Sequence, residues 1–262
     1  MKDGYWALRK YTAGPVGESI KYWIPGEKPS RSQRRIKSDI RKQKANEANC
    51  ERTLTRLIHE NFRNGTDQLV GLDYSQAGYE KMLAGRVKDL DGLPEMDRVM
   101  ALAQHQAELF LRRVGRECKK RGISFRYLMV TSDMDGKTGE AVRVHHHMIV
   151  NAEALDICKE KWTMGGVDYE ALWKRDDQTD LAEYLMKQVR RLPDAKKYTP
   201  SRNLIRPRPK DRIAINGSEL HLPKGATLLY RSPYKPGMAQ YIRYVLPGVN
   251  KSGGRENEQT KV

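Results

Sequence analysis

The stretch VRVHHHMIVN, Val142 to Asn151, sets three consecutive histidines inside a run that otherwise reads as a buried β-strand. The chain holds six histidines in all, so half of them stand at this one place. Side chains alternate across a strand, which puts His145 and His147 on one face and His146 on the other. The chemical unit is therefore His-x-His. Two imidazoles held close on one rigid surface can ligate a single divalent cation, with a carboxylate or water completing the shell. A third protein ligand is sought just upstream: Asp133 is favoured, with Ser132, Asp135 and Glu140 as the other candidates.

Outward from the histidines, SFRYLMVTSDMDGKTGEAVRVHHHMIVN reads as strand, Asp/Gly-rich connection, strand. So short a link makes the two strands antiparallel neighbours. TDQLVGLDYS, Thr66 to Ser75, has the content of an interior strand, and GGVDYEALW reads as a further short one. Val99, Ala103, Leu109 and Val114 support a long helix from Met96 to Lys120, ended by Gly122. In TDLAEYLMKQVRRL, Leu181, Leu185, Val189 and Leu192 form the packing stripe of a second helix, with Thr179 as its expected N-cap.

Tyr184, Lys187 and Arg191 fall together on the flank of that stripe. A phenolate is a competent oxygen nucleophile toward phosphorus, and its phosphate ester keeps the energy of the cleaved bond for rejoining. Beside a metal strand the phenol gains a partner that offsets charge on the phosphate. Lys187 adds a fixed cation, either to help deprotonate Tyr184 or to steady charge.

The opening YWALRKYTAGPVGESIKYWIPG reads as a β-hairpin around a Gly/Pro turn, an appendage to the main sheet. Lys28 to Lys44 carries eight basic residues and one acidic, and Ile36, Ile40, Cys50, Leu54, Leu57 and Ile58 give the spacing of a long amphipathic helix. From Lys187 to Arg212 there are ten basic residues against two acidic, half of the chain's net charge of +16. Such a surplus favours a polyanionic partner, and Tyr198 within the run adds a ring that can stack on a base. The candidate DNA contacts are Arg191, Lys196, Lys197, Tyr198, Arg202, Arg206 and Arg208.

No apolar run approaches the roughly 20 residues of a membrane span, and the first residues lack the apolar core of a signal peptide. No membrane partner and a cytoplasmic location are expected. Three widely spaced cysteines form no CxxC pair and are read as reduced packing residues. A Walker-type GxxxxGK[ST] is absent from the sequence, which excludes a fused helicase.

A strand with His145-x-His147 followed by a helix with Tyr184-x-x-Lys187 resembles the HUH endonuclease superfamily, specifically the rolling-circle replication initiators of plasmids, phages and integrative elements. LVGLDY, Leu69 to Tyr74, stands at the family's first sheet motif, and TPSRNL, Thr199 to Leu204, resembles its closing segment. The resemblance covers Thr66 to Pro207. It implies an α+β fold with a central antiparallel RRM-like sheet, helices packed on it and the histidine strand near its centre. It also implies Mg2+ or Mn2+ at the two histidines, and a tyrosine that nicks single-stranded origin DNA to leave a 5′-phosphotyrosine and a free 3′-OH. The implied partners are an origin strand near a hairpin and a host helicase and polymerase.

Two positions depart from the family pattern. His146 replaces a bulky apolar residue, and Ser132 stands about where many relatives place a metal-binding glutamate. With Gln188 after Lys187, the helix has one tyrosine and resembles the single-tyrosine class.

The expected organisation is an N-terminal hairpin and basic helix (1–65), the endonuclease domain (66–207), a C-terminal extension packing on it (208–248) and a disordered tail (249–262). The alternatives within the same chemistry are a mobilisation relaxase and an HUH transposase. Outside it, the alternative is a non-catalytic RRM-like nucleic-acid-binding protein.

Overall fold

In a computed structural model of the chain, the described residues are 4–26, 40–87, 90, 92–136, 138–189, 197–209 and 212–248. The histidine run forms strand β5 (Ala141–Val150), paired with β4 (Tyr127–Met134) on one side and β3 (Gln68–Leu72) on the other. Outside β3 lies β6 (Val167–Ala171), and outside β4 the short β7 (Thr199–Pro200). All pairs in this five-stranded sheet are antiparallel, in the order β6-β3-β5-β4-β7, so the histidine strand is central.

Alternation along β5 sorts the core into two layers. Val144, Met148 and Val150 face the side of His146, where they pack with Phe110, Val114 and Trp162. That side is covered by α2 (Gln76–Leu83), α3 (Glu95–Lys120) and α4 (Leu155–Lys161). Ile149 faces the side of His145 and His147 and packs with Leu54, Leu57, Leu181 and Leu185. Those leucines come from α1 (Ile40–Asn61) and α5 (Thr179–Lys187). The architecture is mixed α+β, as expected.

The hairpin β1 (Tyr5–Ala13) and β2 (Val16–Ile24) turns at Gly14-Pro15, with Gly14 at φ +50°. It is not an appendage to the histidine sheet. Strands β8 (Arg212–Ile215), β9 (Thr227–Arg231) and β10 (Gln240–Val245) join it in a second antiparallel sheet, ordered β8-β1-β2-β10-β9. An isolated two-stranded hairpin is marginal in water, and the C-terminal strands supply the neighbours it lacks. Segments far apart in the chain thus share one sheet.

Helix α1 joins this sheet to the rest. Arg56 reaches Glu18 Oε2 through Nε (3.0 Å) and Nη2 (2.5 Å), both side chains being buried, and stacks over the Tyr11 ring at 3.7 Å. Glu60 accepts from the Gly14 amide at 2.8 Å. Between α5 and β10, Arg243 pairs with Asp177 at 2.9 Å.

Local boundaries differ from the sequence expectation in two respects. Thr179 is not the N-cap but the first helical residue of α5, and its amide and hydroxyl both donate to Asp177 Oδ1, at 3.1 and 2.6 Å. An acidic oxygen satisfies an amide at the positive end of the helix dipole. Helix α5 ends at Lys187 rather than continuing to Leu192, which lies outside the described residues. Most of the basic stretch from Lys28 to Lys44, and the tail from 249, lie outside them too. The three cysteines are free.

Candidate metal and nucleophile site

The β5 alternation delivers the pairing that the sequence implied. His145 Nε2 and His147 Nε2 lie 3.1 Å apart on the open end of the α1/α5 face, and both rings are half-buried. Register places Ser132 opposite His145, and Val130 and Gly71 on either side of His147. A Cβ on Gly71 would meet only Asp168 Cβ, at 3.8 Å, so space beside the His147 ring stays open.

The His145 Nδ1 atom lies 3.0 Å from the Arg143 carbonyl, which can only accept. Nδ1 therefore carries the donated proton and turns Nε2 toward its partner. Burial, reinforced by His145, lowers the His147 pKa to about 4, so its imidazole is neutral and has a lone pair to give. Two nitrogens about 2.1 Å from one ion and at right angles stand about 3 Å apart, so the observed separation suits cis ligands of a single cation.

The third group is Gln188. Its Oε1 lies 3.4 Å from His145 Nε2, its side chain is buried, and its Nε2 has no hydrogen-bond partner among the described residues. It is held from two sides. Ser132 Oγ, fully buried, donates to the Gln188 carbonyl at 2.6 Å, taking an acceptor that the end of α5 leaves unpaired. Gly136 passes over the side chain so closely that a Cβ there would stand 3.1 Å from it. Ser132 thus serves the site by fixing Gln188, and its own hydroxyl is already engaged.

Asp133 lies at the irregularity near the end of β4 and is buried. Among the described residues no group of three or more His, Cys, Asp or Glu is placed to hold a metal ion, so the structure does not group Asp133 with the histidine pair. Asp135 and Glu140 close the hairpin through backbone bonds at 2.9 and 2.8 Å, Asp135 N to Glu140 O and Gly139 N to Asp135 O. The sequence signal for Gln188 is its spacing: four residues after Tyr184, it falls on the same helical face as the phenol.

Tyr184 stands beside the pair. Its ring meets His147 edge to face, with centroids 5.5 Å apart, and it is partly buried against the α1/α5 core. Lys187 is exposed and lines a cavity of about 320 Å³ with Glu47, Glu51, Glu183 and Lys197. No hydrogen bond joins it to Tyr184 among the described residues. Glu51 in that cavity has a raised pKa, from burial first and the neighbouring Glu183 second.

Of the candidate DNA contacts, Arg202, Arg206 and Arg208 are exposed in the segment following the edge strand β7. The segment is clamped by Asn61, which donates to the Ile205 carbonyl at 2.8 Å and accepts from its amide at 2.7 Å. Lys197 faces the cavity above. Tyr198 is half-buried against the α1/α5 core, and burial pushes its hydroxyl up to about 12. Arg191 and Lys196 lie outside the described residues.

No family model, curated protein or solved structure matches the chain. What the site can do is therefore decided by its own atoms. Among the described residues no helix is long and apolar enough to cross a membrane.

Behind the pair, His146 is fully buried on the opposite face and bonded to Tyr74 Oη (2.9 Å) and Thr131 Oγ1 (3.0 Å). Burial, then the flanking histidines, lowers its pKa to about 3; burial likewise lowers that of His59, whose Nε2 accepts from the Gln178 amide at 2.8 Å, to about 4. The unfolded chain binds these protons near the ordinary value of about 6.5, whereas the folded chain resists them. Stability is therefore fully present above about pH 6.5 and falls as pH drops toward about 4, by up to roughly 1.4 kcal/mol per pH unit for each such histidine. Urea midpoints in metal-free buffer should fall steeply between pH 6.5 and 5; a flat profile there would contradict the neutral burial of these rings.

Proposed function

We propose that the protein is a divalent-metal-dependent nickase and strand transferase of single-stranded DNA, working by tyrosine transesterification as HUH rolling-circle initiators do. The observation that carries this is the convergence of two imidazole nitrogens, one amide oxygen and one phenol ring on the open end of a single sheet face. The central position of the histidine strand in an antiparallel sheet supports the RRM-like arrangement that this chemistry uses.

His145, His147 and Gln188 would hold Mg2+ or Mn2+. Such an ion supplies positive charge to the non-bridging oxygens of the scissile phosphate. Tyr184 Oη attacks phosphorus as its proton leaves. The bond from phosphorus to the 3′ oxygen breaks, giving a free 3′-OH and a phosphotyrosine on the 5′ side; the reverse attack rejoins strands. Lys187 and Lys197 add cations beside the helix, while Arg202, Arg206 and Arg208, continuing the basic run through Arg191 and Lys196, guide the backbone. Tyr198 supports that segment from the core side. The substrate on this reading is an origin strand beside a hairpin, whose free 3′-OH a host polymerase extends behind a host helicase.

The test is incubation of the full chain with single-stranded origin oligonucleotides and Mn2+, followed by denaturing electrophoresis and peptide mapping. A denaturation-resistant adduct at Tyr184 is expected. Binding with neither cleavage nor adduct would instead assign a non-catalytic nucleic-acid-binding role.

Replacing Gln188 with alanine should weaken Mn2+ binding by about 10–100-fold, the usual scale for a group that completes or supports a metal shell. Glu in its place should bind at least as tightly, and Asp133→Asn should leave affinity unchanged. Calorimetric titration checks all three, and loss confined to Asp133→Asn would return the third position to that carboxylate.

A further inference from the structure

Helix α3 covers the face of the histidine sheet opposite the candidate site, and its C-terminal half is strongly cationic. From Glu108 to Arg121 there are six basic residues against two acidic. Arg112, Arg113, Arg116 and Lys119 line one surface groove of about 560 Å³, and Arg113 and Arg116 continue into a second with Lys120 and Lys161. Glu117 is already shared by Lys120, Arg121 and Lys161, and Glu108 lies 3.7 Å from Arg112. Among the described residues Arg113, Arg116 and Lys119 have no acidic partner.

A helix dipole explains basic residues in the last turn, Lys119 and Lys120, but not arginines one and two turns earlier. Like charges at this spacing oppose one another. Burial lowers the Arg113 pKa, and the neighbouring Arg116 cation adds to it. Gly115 stands among them in mid-helix, at a cost of about 1 kcal/mol relative to alanine. Internal packing does not require it: a Cβ there would meet only Phe125 Cδ1, at an ordinary 3.8 Å. The glycine leaves the backbone between the arginines without a side chain of its own.

We propose that this face of α3 binds the phosphate backbone of double-stranded nucleic acid, at a surface separate from the nicking site. None of the groove-lining residues is aromatic. Single-strand binding draws on base stacking, and a rigid rod of cations without rings offers contacts to phosphates alone. Binding is therefore independent of sequence and strongly dependent on salt. The surface stands whether or not the opposite face is a nickase.

The test uses the full chain with charges removed by R112Q, R116Q and K119Q together, at exposed helical positions. Binding of a labelled duplex, of an oligo-dT strand and of phosphatidylserine vesicles is followed by fluorescence anisotropy or sedimentation over a salt series. Duplex affinity should fall at least about tenfold, and the slope of log affinity against log salt should shrink by about 2 to 3, while single-strand binding holds. A control that removes equal charge elsewhere, K10Q, K224Q and K235Q, should change neither. Unchanged duplex binding, equal loss with the control, parallel loss on single strands, or binding of vesicles without duplex would each overturn the proposal. Should the triple variant melt early, R116Q alone gives the same comparison with a slope change of about 1.

Discussion

Tyr184→Phe is expected to abolish the covalent protein–DNA adduct while leaving single-strand affinity within about twofold, because a phenyl ring keeps the packing and loses only the nucleophile. The ring sits edge to face with His147 and packs on the α1/α5 core, contacts that phenylalanine reproduces. With the hydroxyl gone, cleavage should fall by at least about 1,000-fold, equivalent to roughly 4 kcal/mol of barrier. The nearest competitor in sequence is Tyr198. Burial holds its hydroxyl up to about 12, so the phenolate is scarce at neutral pH, and no ring contact joins it to the histidine pair among the described residues, whereas Tyr184 meets His147. Denaturing gels of variant and wild type in Mn2+ read the difference directly. An adduct that persists in the variant and maps to Tyr198 would remove Tyr184 from the mechanism.

The parts of this fold that were legible in the sequence are those set by strict periodicity. Alternation along Val142 to Asn151 separates His146 from its neighbours, and the structure places the three rings accordingly, His146 on Tyr74 and Thr131, the others on each other. The length of α3 and its Gly122 stop, with φ +69°, were equally readable, although of Val99, Ala103, Leu109 and Val114 only Ala103 and Val114 are buried and Leu109 lines the outer groove. Short helices were not. Helix α2 has eight residues and an internal Gly78, which weakens any helical signal; the glycine is required because the Met164 carbonyl occupies the place of a Cβ. The second sheet was beyond reach for another reason. Its β1–β2 hairpin is local and readable, but the strands that flank it pair from about 200 residues away, as Ile215 with Trp6 and Gln240 with Lys21, and nothing local specifies such a partner.

The group that stands beside the histidine pair shows the same division. A search along the neighbouring strand finds Asp133, whereas the group beside the histidines comes from the end of a distant helix, through contacts with Ser132 and Gly136 that only the folded chain reveals. Ser132, which in sequence looks like the loss of a family ligand, donates to the Gln188 carbonyl and so fixes the residue proposed for that place.

His145→Ala and His147→Ala should each lower Mn2+ affinity by at least about 100-fold and remove metal-dependent cleavage, whereas His146→Ala should act on stability instead. The two outer rings are half-exposed and meet at Nε2, so truncating either leaves one nitrogen facing Gln188, too few donors to retain an ion. Neither supports the core. His146 does: it is fully buried between Tyr74, Thr131 and Trp162, with both ring nitrogens bonded. Removing it opens a cavity and strands the buried Tyr74 hydroxyl, a combined cost of about 2 to 4 kcal/mol against a typical domain stability of about 5–15 kcal/mol. At low temperature, where the variant is still folded, it should keep Mn2+ binding and adduct formation. Calorimetry and denaturant midpoints on the three variants separate the roles. Equal loss of metal affinity in all three, with unchanged midpoints, would mean that strand alternation does not divide the run, and the site would have to be rebuilt around a different pair.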